Sequence, residues 1–252
     1  MNKTDFIDSF SANLRALGVR PGGVLLVHSS LKSMGNVPGG PETVIQGLVK
    51  TLGDAGTLLL PSLTYETVTR QKPVFDIRST PSCVGAITEY FRTRSGTLRS
   101  LHPTHSVCAV GHRAEELLAE HALDSTPCGP HSPFRLLPEI RGQILMLGCG
   151  LRPNTSMHAI EELVIPPYLF NSPITYTLTN QYGKTYQKRY ITLNFVSWLQ
   201  RYDRVSEVLN RSSLHTGIIA GAKTYLIEAR SLWKSALSTL KNDPFFFVER
   251  IN

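Results

Sequence analysis

His158 and Glu161 stand three residues apart in the run Asn154-Thr155-Ser156-Met157-His158-Ala159-Ile160-Glu161-Glu162. Arg152-Pro153 ends a loop, and Asn154, Thr155 or Ser156 can cap the helix predicted to follow. Three residues of helix separate two side chains that share one face. A carboxylate beside an imidazole favours the imidazolium and fixes which ring nitrogen is free to act. That is the arrangement a general base needs. The same spacing also makes an ordinary surface ion pair, so the surrounding sequence has to decide between the two.

Other candidates for chemistry are weaker. Six of the eight histidines lie between residues 102 and 158. His102 and His105 form His-x-x-His, but there is no His-Glu-x-x-His, and His158 has no second histidine four residues on. No metal is expected on this spacing; a metal-dependent hydrolase using His102, His105 and His158 stays as a rival reading. Gly-x-Ser-x-Gly is absent, which disfavours a serine hydrolase. The loop from Ser29 to Gly40 joins a predicted strand to a predicted helix, where free backbone N–H groups and the helix dipole suit phosphate. It is neither a Walker loop, since Pro41-Glu42 replaces the Lys-Ser/Thr pair, nor a Gly-x-Gly-x-x-Gly turn. It can equally be a plain tight connection. Cys83, Cys108, Cys128 and Cys149 show no paired spacing and read as free, mostly core, thiols.

Composition limits the class. The chain has 252 residues, 41% hydrophobic, with a formal net charge of +7 and a pI of about 9.3. That length supports a substantial core. No run of about 18 apolar residues is present. Met-Asn-Lys-Thr-Asp-Phe-Ile-Asp lacks the apolar stretch of a signal peptide, so a cytoplasmic location is expected. A basic surface attracts anions. Without a dense Lys/Arg block or a nucleic-acid signature, an anionic small ligand is the more economical explanation, and neither nucleic acid nor membrane is expected as partner.

The predicted elements that position these residues alternate. Phe6, Ile7, Phe10, Leu14 and Leu17 mark a first helix stopped near Gly18. Val24–Val27 is a buried strand, Val44, Ile45, Leu48, Val49 and Leu52 mark a helix, and Thr57–Leu60 is the next strand. This is a βαβ unit with parallel strands. A helix over 83–94, a strand over 106–110, a helix over 112–120 and a strand over 144–147 continue the α/β pattern. Ile174–Thr179 and Thr185–Leu193 then flank a turn at Gly183 as an antiparallel hairpin. Helices over about 194–210 and 223–241 are expected to end the chain.

With these pieces in order, a family resemblance emerges. Val27-His-Ser-Ser-Leu31, Val37-Pro-Gly-Gly-Pro41, Phe75-Asp76, Thr80-Pro81, Arg99-Ser-Leu-His-Pro103 and Ser106-Val107 are followed by Gly129 with Ser132-Pro133, then Leu147-Gly148, then Asn154-Thr155-Ser156 with His158 and Glu161. This resembles the aminoglycoside 3-N-acetyltransferase family, densely over residues 18–165 and more loosely beyond, where Tyr202-Asp203-Arg204 is still similar. The resemblance implies an α/β, antibiotic-acetyltransferase-like (non-GNAT) fold. That fold has a central, largely parallel sheet flanked by helices, with an added β-hairpin and C-terminal helices. A single domain over 1–252 is expected, with 166–195 as a β-rich embellishment. It implies acetyl-coenzyme A as cosubstrate and a small-molecule amine as acceptor. It makes His158 the base and Glu161 its partner, and assigns Ser29, Ser30, Leu31, Val37, Gly39, Gly40 and Ser106 to the cofactor. Thr155, with Ser156 and nearby N–H groups, becomes a candidate donor to the thioester oxygen. Monomer and dimer both stay open, as does a catalytically silent binding protein.

One departure bears on the acceptor. Aminoglycoside-modifying members carry a longer, acid-rich insertion before Phe-Asp; here only Leu63–Val74 fill that gap, with Glu66 the sole acid. A less charged amino sugar, a precursor of a glycan or natural product, is the alternative acceptor, and aminoglycoside turnover is expected to be weak or narrow.

Overall fold

A computed structural model describes residues 2–251. Helix α1 spans Lys3–Leu17; Phe6, Phe10 and Leu14 recur every four residues and form one buried stripe. Asn2 Oδ1 caps it on the Asp5 N–H at 2.9 Å, and Gly18, in the left-handed region, ends it. Strand β1 (Val24–Ser29), helix α2 (Gly40–Leu52) and strand β2 (Thr57–Pro61) form the expected βαβ unit. Then follow β3 (Val74–Asp76), α3 (Ala86–Thr93), β4 (Leu98–Arg99), β5 (Val107–Gly111), α4 (Ala114–Leu118), α5 (Pro133–Leu136) and β6 (Gln143–Leu147). The second half holds α6 (Ser156–Glu161), β7 (Phe170–Thr179), β8 (Thr185–Leu193), β9 (Trp198–Gln200), α7 (Val205–Val208), β10 (Leu214–Ile219), β11 (Ala222–Glu228), α8 (Ala229–Asn242) and β12 (Val248–Arg250).

The central sheet runs β10-β11-β6-β1-β2-β5-β4. Its middle, β6-β1-β2, is parallel, with Leu26 opposite both Ile144 and Leu59, and the flanking strands pair antiparallel. Alternation along the strands divides the core into two faces. Leu25, Val27, Leu58, Leu60, Leu145 and Leu147 pack under α1, α2 and α3. Leu26, Leu59, Ile144 and Met146 face the other layer, which holds Leu117, Phe134, Ile160 and Trp233. Gly47 lets α1 and α2 approach, since a Cβ there would lie 2.6 Å from the Phe10 ring. A separate three-stranded sheet, β3-β7-β8, stands beside the central one and buries Val68, Phe75, Tyr176 and Tyr190.

The chain departs from the sequence reading near its end. Residues 194–210 do not form a helix but contain β9, a 3-10 turn at Tyr202–Arg204 and the single turn α7. Residues 222–228 are a strand, and only 229–242 are helical. The physical reason is a hairpin. Ala220 and Gly221 both have positive φ, the backbone of a two-residue β-turn, and β10 and β11 flank it in register. The apolar side chains of β11 bury against β6, which overrides helical spacing. The strand expected over 106–110 starts at Val107, and the helix over 112–120 shrinks to α4.

Candidate active site

Helix α6 begins directly after the loop that leaves β6, at the C-terminal end of the central parallel strands. Thr155 occupies the cap position with no side-chain bond to the helix, and Asn154 Oδ1 accepts from the Ser156 N–H at 3.2 Å. All six residues of α6 are buried. This decides between the two readings of His158 and Glu161: they are no surface pair. The Glu161 carboxylate is wholly buried, and the His158 side chain is 9% exposed.

Three side chains fasten Glu161. His158 Nδ1 lies 3.0 Å from Oε2; Tyr202 donates to the same oxygen at 2.8 Å, and Tyr168 donates to Oε1 at 2.8 Å. The Tyr202 hydroxyl is also 3.0 Å from His158 Nδ1. Burial, reinforced by the Glu161 charge, pushes both phenols up, so both stay donors. A carboxylate and a phenol oxygen beside Nδ1 hold its hydrogen there, and Nε2 is left as the free nitrogen. His158 packs edge-on against His105 and Tyr202, with Phe195 tilted beside it, ring centroids 5.3–5.8 Å apart.

His158 opens on a cavity of about 620 Å³. Ser29, Cys149, Arg152 and Thr155 line it near the ends of β1 and β6. Tyr65, Val68 and Arg70, from the segment between β2 and β3, line another part with Asn171, Ile174 and Thr192 of β7 and β8. His28 and His105 also reach the wall. Burial drives His28 down to about 3 and His105 well below the ordinary histidine value, so both are neutral near pH 7.

The rival zinc reading fails on geometry. His102 Nδ1 accepts the N–H groups of Thr104 and His105 at 3.2 and 2.9 Å, and Nε2 faces the Thr126 carbonyl at 3.2 Å. Both ring nitrogens are engaged with backbone, so no lone pair is left for a metal.

The structure places Thr155, His158 and Ser29 on one cavity wall, with Glu161 behind His158. The other cofactor candidates sit outside the cavity wall. Ser30 donates its N–H to the Leu147 carbonyl, and its Oγ meets Ser33 Oγ at 2.9 Å. Leu31 opens a 3-10 turn, and Val37 is buried beneath α2. Gly39 and Gly40, both with positive φ, form the entry to α2. Ser106 is wholly buried: its hydroxyl donates to the Ser62 carbonyl at 2.7 Å and accepts from Arg99 Nε at 2.9 Å. It ties the segment after β2 to the start of β5 and does not line the cavity beside His158. Sequence reasoning missed the role of Tyr168 and the contact of Tyr202 with Glu161; the only sign was the similarity at Tyr202-Asp203-Arg204.

The fold is α/β, and a buried His158–Glu161 pair opens on its cavity. A family-wide profile described as aminoglycoside 3-N-acetyltransferase matches residues 26–241, and the chain belongs to that family. Aminoglycoside N(3)-acetyltransferase IV of Salmonella sp is 33% identical over 235 residues, 92% of this chain and 86% of the relative. Among solved structures, the apoenzyme of aminoglycoside acetyltransferase AAC(3)-IVa superposes with a TM-score of 0.79 at 31% identity, covering 98% of this chain and 90% of that one. The enzyme AAC-IIIb, solved as a binary complex with coenzyme A, gives 0.83 at 28% identity, covering 96% and 97%.

Proposed function

We propose that this chain transfers the acetyl group of acetyl-coenzyme A to an amine of an aminoglycoside or related amino sugar, with His158 as general base. The observation that carries the proposal is the buried Glu161, held by Tyr168 and Tyr202 and aimed at His158 Nδ1. Acyl transfer from a thioester needs a neutral amine, so Nε2 of His158 takes the proton as the amine nitrogen bonds to the carbonyl carbon. The C–S bond then breaks, and the same imidazolium returns its proton to the departing sulfur. Glu161 stabilises the imidazolium in between without taking its proton. Thr155, beside His158 on the cavity wall, is the candidate donor to the oxygen that becomes negative.

The residues present fit a coenzyme A thioester. Ser29 and Arg152 line the cavity near the ends of β1 and β6, and Ser30, Leu31, Val37, Gly39 and Gly40 continue outward from Ser29 to the start of α2. Arg152 and Lys32 are exposed there and form no ion pair among the described residues, so each can meet a phosphate. The first turn of α2 already carries Glu42, itself paired with Arg94 at 2.9 Å. Free cations therefore contribute more here than the helix dipole does. The solved complex of AAC-IIIb with coenzyme A supports the same cosubstrate.

A panel of amines tested with acetyl-coenzyme A by thiol release checks the reaction. Acetylation of at least one aminoglycoside or amino sugar is expected; thiol release independent of any amine contradicts it. Calorimetry with acetyl-coenzyme A checks the cosubstrate separately, and no heat of binding would remove it.

A further inference from the structure

The cavity wall is electrically one-sided. Among the described residues that line it, none is Asp or Glu, and the two formal charges are Arg70 and Arg152. Three nearby carboxylates are engaged elsewhere, while Glu66, exposed next to Tyr65 on the segment that carries Arg70, stands outside the wall. Glu161 is wholly buried behind His158, Glu162 accepts from Thr126 Oγ1 and the Cys128 N–H, and Asp76 accepts from the N–H groups of Arg78 and Ser79. The histidines on the wall add no negative charge. A polycationic acceptor finds no carboxylate on the wall itself and meets like charge there.

Arg70 lies on the part of the cavity built by the segment between β2 and β3 and by the β7–β8 hairpin. Its Nη2 donates to the Ser172 carbonyl at 3.1 Å and to Ser172 Oγ at 2.8 Å. These bonds hold the guanidinium in place and leave Nε and Nη1 without protein partners among the described residues. Arg92, Arg94 and Arg113, by contrast, each clasp a carboxylate. Tyr176, on the same wall, is close enough for the Arg70 charge to oppose the upward push of burial on its phenol. An exposed guanidinium without a carboxylate partner, oriented by Ser172 beside a phenol, can receive a planar or tetrahedral anion.

We propose that the acceptor is an amine that also carries an anionic group, a phosphate or a carboxylate, and that Arg70 receives that group while His158 deprotonates the amine. This rests on the acetyl-transfer reading above and narrows its substrate class.

The test compares glucosamine, glucosamine 6-phosphate, muramic acid and gentamicin as acceptors with acetyl-coenzyme A, for the wild type, Arg70→Lys, Arg70→Gln and Arg70→Glu. In the wild type, kcat/KM for at least one anionic sugar should exceed that for glucosamine by about tenfold, the scale of a charge-assisted hydrogen bond. Whether the phosphate or the carboxylate leads identifies the anion. That ratio, which cancels any general loss of folded enzyme, should fall towards one in Arg70→Gln, survive in part in Arg70→Lys, and reverse in favour of gentamicin in Arg70→Glu. Equal rates for neutral and anionic sugars overturn the proposal, as does gentamicin as the best wild-type acceptor or a ratio unmoved in Arg70→Gln. Calorimetry with glucosamine 6-phosphate and with muramic acid, in the presence of coenzyme A, separates the two readings. Binding that needs Arg70 without any acetylation removes the reaction and keeps the anion site. Acetylation without anion preference keeps the reaction and removes the site. Neither binding nor acetylation overturns both.

Discussion

Residues 154–162 and residues 63–74 border one cavity and are built on opposite plans. The first stretch is buried almost throughout, and its functional carboxylate carries three hydrogen bonds from three different parts of the chain. The second is largely exposed; Val68 anchors it in the small sheet, while Tyr65 is 49% exposed and Val74 50%. Over-determined geometry suits a group that must hold one tautomer through every turnover. A lightly anchored rim suits a part whose task is to distinguish acceptors. Mutations in the first region should therefore act on turnover and stability, and those in the second on acceptor choice.

The largest effect should come from the base. His158→Ala should lower kcat by roughly 10²–10⁴-fold with acetyl-coenzyme A affinity little changed. Steady-state kinetics alongside calorimetry checks both halves, and a parallel loss of affinity would blur the division drawn here. Glu161→Gln should cost less, about tenfold in kcat, because it removes a charge that orients and supports the imidazole without touching the amine. A loss equal to that of His158→Ala would make the pair a single unit.

Tyr168→Phe should destabilise the protein by about 1–3 kcal/mol, because it strips Glu161 Oε1 of its donor in a buried place. Urea unfolding measures this, and an unchanged midpoint would show that water replaces the phenol. Acidification acts on the same interior through the buried histidines. His28 and His121 fall to about 3 and His102 and His105 well below 6.5, in each case chiefly through burial. Folded, they stay neutral; unfolded, they bind protons below 6.5. The stability they contribute is present above about pH 6.5 and is lost as pH falls from there towards 3, at up to about 1.4 kcal/mol per pH unit for each proton. Glu162, pushed up by burial, opposes this with one proton. Urea midpoints should be lower at pH 5 than at pH 7.5; equal midpoints would contradict the sign. The smallest effect concerns chelation, which should leave turnover unchanged, since His102 has no ring nitrogen to offer a metal. Zinc-dependent rescue after chelation would restore the rival chemistry.

How much was legible in the sequence follows the same division. His158, Glu161 and Thr155 lie within one helical turn or two of each other, so local spacing alone placed them on one element. The βαβ start was equally plain, because Val24–Val27 and Thr57–Leu60 are unbroken apolar runs around an amphipathic helix. Tyr168 and Tyr202 were not legible: their hydroxyls reach Glu161 across 7 and 41 residues, and nothing local marks them. Ser106 was drawn into the cofactor site by its position in a similar motif, and its hydroxyl instead ties Arg99 to Ser62. The hairpin β10–β11 was hidden because Ala220, not glycine, takes one of the two positive-φ positions of its turn. Without an Asn-Gly or Gly-Gly signal, the following apolar residues read as helix.

The most direct test of the central claim is turnover of acetyl-coenzyme A and an amine by folded His158→Ala protein, with and without added imidazole. If His158 Nε2 carries the amine proton, the variant is deeply impaired and imidazole, entering the space vacated on the cavity wall, restores part of the rate in a saturable way. A variant within a few-fold of the wild type, indifferent to imidazole, would remove His158 from the proton transfer and with it the reason for the buried Glu161.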